Sequence, residues 1–185
     1  ISEPLPSLKE IQLWILRNIL NKVPISPFAK AYKTNVSLIE NLKFHKNQPK
    51  VYTLDLENFF QSITIELVEK EFHQLGYSKM LSRLLSKLCT RDRTLPQGAP
   101  TSPYLSNLIF KDADAEIAAY CKLHKIRYTR YADDMSFSGD FDENKLLHKV
   151  VETVEKLNLR INKNKTKLMT ANTRQTVTGI VVNEK

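Results

Sequence analysis

Three aspartates stand where strands read as ending. Asp133 and Asp134 are adjacent in RYTRYADDMSFSG, residues 127–139, between two runs that alternate like strands. Asp55 closes the strand-like KVYTLD. Adjacent like charges repel, and no glycine follows the pair to relax a tight turn. Taken alone, an Asp-Asp pair also fits a solvated hairpin turn, and Asp55 a strand edge or a helix cap. If the Asp55 strand lies beside the hairpin, three carboxylates meet at one sheet end. Such a cluster suppresses its own ionisation unless a cation joins it. Hard divalent cations choose carboxylate oxygens. Two of them about 3.5–4 Å apart would satisfy the cluster and serve phosphoryl or nucleotidyl transfer.

A second stretch bears on the same chemistry. LPQGAPTSP, residues 95–103, is rich in turn formers and precedes a helical run. Its Gly and small side chains let something flat approach the backbone closely, as a base pair would. Arg160, Lys163, Lys165 and Lys167 crowd one segment. Most of these read as a solvated face, with room for one lysine as general acid or charge stabiliser near a leaving phosphate. Lys122, Lys125, Arg127 and Arg130 read as candidates to face phosphates, and Trp14 as a core residue.

The elements that must position these groups follow from periodicity. Residues 6–22 carry a helical apolar stripe at 8, 11, 15, 16, 19 and 20, with Ser7 as the expected N-cap. A Pro-containing loop over 23–35 leads to a shorter helix over 36–47. A strand starts at Lys50, with Val51, Thr53 and Asp55 on one face and Tyr52, Leu54 and Leu56 on the other. Helices follow over 64–76, ended by Gly76, and over 78–90, capped by Ser78. One long helix is expected over 104–124, then the hairpin, then an amphipathic helix over 142–158. Two strands, 165–171 and 175–183, complete the order. That order predicts an α+β fold, helices flanking a mostly antiparallel sheet.

Composition sets outer bounds. The 185 residues suffice for one domain with a sizeable core, and 42% are hydrophobic, which suits a folded globule. Lys and Arg outnumber Asp and Glu by 28 to 20, and the net charge of +8 favours polyanionic partners. Cys89 and Cys121 have no metal-binding spacing and read as reduced core thiols, hence a cytoplasmic setting. The four histidines form no ligand pair. No apolar run is long enough to cross a membrane. The chain starts at Ile1 without Met and ends at Lys185 in a strand-like run, so both ends read as cut from something longer.

In this order the motifs resemble those of the reverse transcriptases, and within them the bacterial retron-type branch. VYTLDLENFF resembles the segment carrying the first catalytic aspartate, LPQGAPTSP the templating-pair motif, and YADD the catalytic box. LNLRINKNKTKL is similar to the following basic motif, and TVTGIVVN to the primer-grip region with a retron-like Val177-Thr178-Gly179. NLKFH, residues 41–45, resembles the retron signature Asn-Ala-x-x-His, with Leu42 in place of Ala. The resemblance implies a polymerase palm with partial helical fingers. It assigns 1–50 to partial fingers, 51–76 to palm, 77–100 to a fingers–palm connection and 101–185 to palm through the primer grip, with no thumb. It implies RNA-directed DNA synthesis on two Mg²⁺ ions, Mn²⁺ being a possible substitute, with this stretch by itself weakly active or inactive because the upstream basic fingers and the thumb are missing. Asp55, Asp133, Asp134 and the Leu56 backbone would hold the metals, and Lys165 would assist. Asn58, Phe59, Phe60, Gln97 and Gly98 would meet the nucleotide, with Phe60 as the ring that excludes a 2′-hydroxyl. Tyr131, Thr178 and Gly179 would meet the primer. The implied partners are an RNA template, a DNA or RNA primer, deoxynucleoside triphosphates and a structured non-coding RNA, without a membrane. A contrasting expectation is a related module, of phage defence for instance, that binds nucleic acid with little templated synthesis.

Overall fold

The computed structural model describes residues 3–32 and 38–183. The end of the expected Pro-containing loop, the first residues of the second helix and the last two residues of the chain lie outside that range. Two compact units form, Ile1–Ser26 with Asn58–Lys111, and Pro27–Glu57 with Asp112–Lys185.

The first unit is helical. Helix α1 spans Pro6–Asn18 and a short 3-10 turn spans Leu20–Lys22. The start differs from the Ser7 cap expected: Leu5 is the N-cap and Pro6 opens the helix, where its missing N–H costs nothing. The buried face runs through Gln12, Ile15 and Leu20, and Gln12 donates to the Leu88 carbonyl at 2.8 Å. Trp14 is turned away from that face and is 59% exposed, so it is not a core residue. Helices α3 (Phe59–Ser62), α4 (Ile65–Gln74), α5 (Lys79–Cys89) and α6 (Ser102–Ile109) complete the unit. Gly76 follows α4 at φ +94°, and the Ser78 side chain caps α5 by accepting the Leu81 N–H. The single long helix expected over 104–124 is broken. Phe110 ends α6, its ring fully buried 6.0 Å from that of Phe59, and α7 (Lys111–Leu123) starts afresh.

The second unit holds the sheet. Its strands are β1 (Lys50–Asp55), β2 (Arg127–Tyr131), β3 (Asp134–Gly139) and β4 (Lys167–Thr170), ordered β2-β3-β1-β4 with every pairing antiparallel. Register sorts the side chains into two faces. Tyr52, Leu54, Tyr128, Arg130, Met135 and Phe137 share one face, and all are buried. There Asp114 of α7 takes hydrogen bonds from Tyr128 and Arg130. Glu116 of α7 pairs in turn with Lys149 and Lys156, on and just past α8 (Glu143–Glu155). The other face carries Asp55, Thr129, Asp134, Ser136 and Ser138. Helix α2 (Leu38–His45) meets it through His45, whose ring nitrogens lie 2.8 Å from Ser138 Oγ and 2.7 Å from Thr129 Oγ1. Burial holds that ring neutral, its pKa lowered to about 4, with the Arg127 and Lys30 charges adding to the effect.

The stretch 175–183 is a tight hairpin of β5 (Thr176–Val177) and β6 (Ile180–Val181) rather than one strand. Both turn residues, Thr178 at +46° and Gly179 at +79°, have positive φ, which suits a two-residue hairpin turn. Val177 and Val182 pack on Val51 and Met169, which seats this hairpin on the sheet. Cys89 and Cys121 are buried free thiols, both pushed up to about 12 by burial. Among the described residues no helix is long and apolar enough to cross a membrane.

Candidate active site

The acids arrive from two strand ends and the turn between β2 and β3. Asp55 is the last residue of β1 and Asp134 the first of β3, and the two are direct cross-strand partners. Their side chains therefore share one sheet face at close range. Asp133 lies in the β2–β3 turn, and its carbonyl accepts the Leu56 N–H at 3.0 Å, which extends the pairing past Asp55. On the opposite edge the Asp55 carbonyl accepts from Asn162 and the Glu57 N–H donates to Arg160, so the chain over 160–162 is fixed to the end of β1. The turn after it aims Lys165 back at the acids. Its Nζ lies 3.1 Å from Asp55 Oδ1 and donates to Oδ2 at 3.2 Å.

The hairpin tip is held from beneath. Arg130 is fully buried, bidentate on Asp114 through Nε and Nη2 at 2.9 and 2.8 Å. Its Nη1 donates to the Ala132 carbonyl at 2.9 Å. The left-handed residue such a turn needs is Ala132, at φ +57°, so the positive φ precedes the acidic pair. Arg130 therefore drops out of the four candidates to face a phosphate. Its partner lies 16 residues away on a helix, and no local signal marks the pair. Arg160, Lys163, Lys165 and Lys167 are all exposed.

The electrostatics are those of crowded anions. Burial pushes the Asp134 carboxyl up to about 6, and the charges of Asp55 and Asp133 add to this. The Lys165 charge and a hydrogen bond from the Thr178 backbone N–H pull it partly back. Asp133 is raised by burial and by Asp55. Tyr32, near Asp133 and Tyr131, is raised by burial first and by those charges second, and sequence reasoning did not find it. Asp55 Oδ1 is buried and makes no hydrogen bond; Lys165 neutralises it only from outside hydrogen-bond geometry. A carboxylate oxygen that accepts no hydrogen bond, beside two more carboxylates, is a donor set that fits a hard divalent cation. Among the described residues no three acidic, His or Cys side chains form a finished metal group, so the acids would have to draw closer to share one.

The raised Asp134 has a consequence for stability. Below its ordinary value of 3.8 the carboxyl is protonated folded or unfolded, and no penalty arises. Between 3.8 and about 6 the folded state holds the extra proton, so stability falls as pH rises through that window and stays reduced above it. Roughly two pKa units correspond to about 3 kcal/mol. Asp134→Asn is expected to raise the melting temperature by several degrees at about pH 8 and to have little effect near pH 4. Thermal unfolding across that range is the check.

The remaining candidate residues are distributed as follows. Leu56 directs its N–H toward the hairpin, and its carbonyl lies along the same edge. Thr178 touches Asp134 through its N–H, while its Oγ1 is buried without a partner. Gly179 completes that turn. Tyr131 is the cross-strand partner of Asp134 and is 38% exposed. Asn58, Phe59 and Phe60 belong to the helical unit. Asn58 precedes α3 at φ +44°, Phe59 is core at 3% exposure and Phe60 is half-buried beside it. Gln97 and Gly98 sit in an exposed loop, Gly98 at φ +113°. That loop grows from a firm base, since the Leu95 N–H donates to the Ile63 carbonyl and Thr64 bridges to Thr94.

Comparison with known proteins identifies the family. Residues 4–182 match the family model described as Reverse transcriptase (RNA-dependent DNA polymerase). The retron Ec86 reverse transcriptase of Escherichia coli is 37% identical over 191 residues, covering 100% of this chain and 58% of that protein. The retron Mx162 reverse transcriptase of Myxococcus xanthus is 33% identical over 213 residues, covering 99% of this chain and 44% of that protein. The chain thus spans about half the length of the curated relatives it matches. In fold it is similar to apo telomerase from Candida tropicalis, with a TM-score of 0.65, 10% identity, and coverage of 98% of this chain and 40% of the other. Telomerase from Candida albicans, solved with a fragment of telomeric RNA, gives 0.62 at 13% identity, covering 98% and 37%. With a family model that runs almost end to end and acids in register at one sheet end, the chain belongs to the reverse transcriptase family.

Proposed function

We propose that this chain is the catalytic core of an RNA-directed DNA polymerase, extending a DNA or RNA primer on an RNA template with deoxynucleoside triphosphates. The observation that carries the reading is the in-register pair Asp55 and Asp134 beside Asp133, with a buried carboxylate oxygen among them that accepts no hydrogen bond. Asp55, Asp133, Asp134 and the Leu56 carbonyl would hold two divalent ions, Mg²⁺ by preference and Mn²⁺ as substitute. When bound, the ions would activate a primer 3′-hydroxyl and stabilise leaving pyrophosphate. The chain's own contributions are positional. Arg130 fixes the turn that presents Asp133, and the Thr178 N–H orients Asp134. Lys165 supplies positive charge at Asp55, placed to stabilise negative charge as it develops on a departing phosphate. The similarity to retron enzymes supports a structured non-coding RNA as partner and a cytoplasmic setting. The assignment of 1–50 as partial fingers and 101–185 as palm belongs to the same proposal. A purely binding module has no use for holding Asp133 and Asp134 half-buried beside Asp55, where burial and the neighbouring charge raise both.

Phe60 is the sugar gate in this reading, because Phe59 is committed to the core against Phe110 while Phe60 keeps partial exposure. Primer extension on an RNA template, with deoxy- and ribonucleotides in competition, tests both points. Wild type should incorporate deoxynucleotides in a template-dependent way, and Phe60→Ala should raise the ribonucleotide share at least about tenfold, the scale of one lost steric contact. No template-dependent incorporation, even by a chain extended to the length of its retron relatives, would defeat the proposal. Unchanged discrimination in Phe60→Ala, with altered discrimination in Phe59→Ala, would move the gate to the other ring.

A further inference from the structure

Away from the acidic cluster, the second unit contains a pocket of about 220 Å³ where α2 and the segment around Phe28 meet β2. Phe28, Phe44 and Tyr128 give it aromatic walls, and Lys30, Asn41 and Thr129 its polar lining. A cavity of about 150 Å³ accepts a benzene ring, so this one has room for a larger flat heterocycle. Phe44 is 46% exposed, which places it at an accessible rim, while Tyr128 is stacked between Phe28 and Phe137 in the interior.

Asn41 sets this pocket apart. The residue is 2% exposed, and both its amide nitrogen and its amide oxygen lack any hydrogen-bond partner. Buried polar groups are nearly always paired, and one that is not calls for an explanation. The neighbouring polar groups do not provide one: Thr129 Oγ1 and Ser138 Oγ are engaged by His45. An unpaired donor and acceptor on one planar group match a planar ligand that presents an acceptor and a donor side by side. Adenine does so at N7 and N6, and Asn is the side chain that pairs with that edge. Positive charge stands close by. Arg127 lies 5.5 Å over the Phe44 ring and donates to the Phe44 carbonyl, and Lys30 reaches the Pro27 carbonyl from the pocket lining. Aromatic walls beside cations form the usual platform for a splayed-out base and its phosphate. We infer that this pocket binds an unpaired adenine of a single-stranded nucleic acid, stacked against the exposed Phe44 ring and read by the Asn41 amide once that side chain turns into the pocket. The site is separate from the acids, and the inference does not depend on polymerase activity.

The test is direct binding by fluorescence anisotropy, in EDTA so that the acidic cluster plays no part. The probes are a short labelled oligoadenylate, the same strand carrying 7-deazaadenine, and an abasic strand of equal length. Wild type should bind oligoadenylate about tenfold tighter than either control, the scale of one bidentate base contact. Asn41→Leu, of similar size without the amide, should bind all three strands alike. Its melting temperature should equal or exceed that of wild type, since an unpaired polar pair has been removed from the interior. Equal affinity of wild type for oligoadenylate and abasic strand would overturn the inference. So would a lower melting temperature in Asn41→Leu, which would mark the amide as serving the fold. If that variant fails to fold, Phe44→Ala decides at the exposed rim: loss of the adenine preference supports the pocket, and its retention overturns it.

Discussion

Asp133→Asn is expected to lower RNA-templated primer extension by at least about 10³-fold while leaving the fold intact. The substitution keeps size and shape and removes one charge. Asp133 contributes to the fold through its backbone, whose carbonyl takes the Leu56 N–H, and that bond survives the change. What is lost is a carboxylate beside Asp134, whose own carboxyl is pushed up by burial first and by the neighbouring charges second. Preorganised charge at a reacting phosphate commonly contributes several kcal/mol to the rate. Steady-state extension on an RNA template, set beside circular dichroism of both proteins, checks the prediction. Extension within tenfold of wild type would place the chemistry elsewhere.

Arg130→Met should destabilise the protein by about 3–5 kcal/mol, a large part of the margin of an ordinary domain. The guanidinium and the Asp114 carboxylate are both at 0% side-chain exposure, joined by two hydrogen bonds, and the Tyr128 hydroxyl donates to the same carboxylate at 2.7 Å. Removing the cation alone leaves a buried anion. Removing both in Arg130→Met with Asp114→Leu should recover much of the loss, because two apolar chains bury no charge. Chemical denaturation of both singles and the double gives the coupling. The double should still be impaired in extension, since the Ala132 carbonyl loses its donor and the acidic turn its support. Additive single effects would show that the two groups act independently.

The difference between what was legible and what was not follows from sequence distance. Alternation along β1 put Asp55 opposite the apolar face, and the adjacent acids marked the hairpin, so register alone brought Asp55 to Asp134. The Gly76 stop and the Ser78 cap were equally local. Arg130 could not be sorted from the other basic candidates because its partner is on another element, and from sequence a buried arginine looks like an exposed one. Trp14 was misread because α1 is buried around Gln12 and Ile15, a face that its apolar stripe alone does not mark. The break at Phe110 involves neither Gly nor Pro; it accompanies a ring that enters the core, which helix periodicity cannot reveal. In the last segment the Val-Thr-Gly triplet was visible, but not the contact of the Thr178 N–H with Asp134, because a Thr at positive φ goes against its own propensity.

Extension depends on every part of a polymerase, whereas cation binding depends on the acids alone. The most direct measurement is therefore the melting temperature at about pH 8 as MgCl₂ is raised, with EDTA reversal, for wild type, Asp133→Asn and Asp134→Asn. A ligand that binds only the folded state stabilises it in proportion to RT ln(1 + [L]/Kd). Wild type should gain stability in the way that law describes and lose the gain in EDTA, while Asp133→Asn and Asp134→Asn should gain little. A wild type indifferent to Mg²⁺, or variants that respond as it does, would contradict the account.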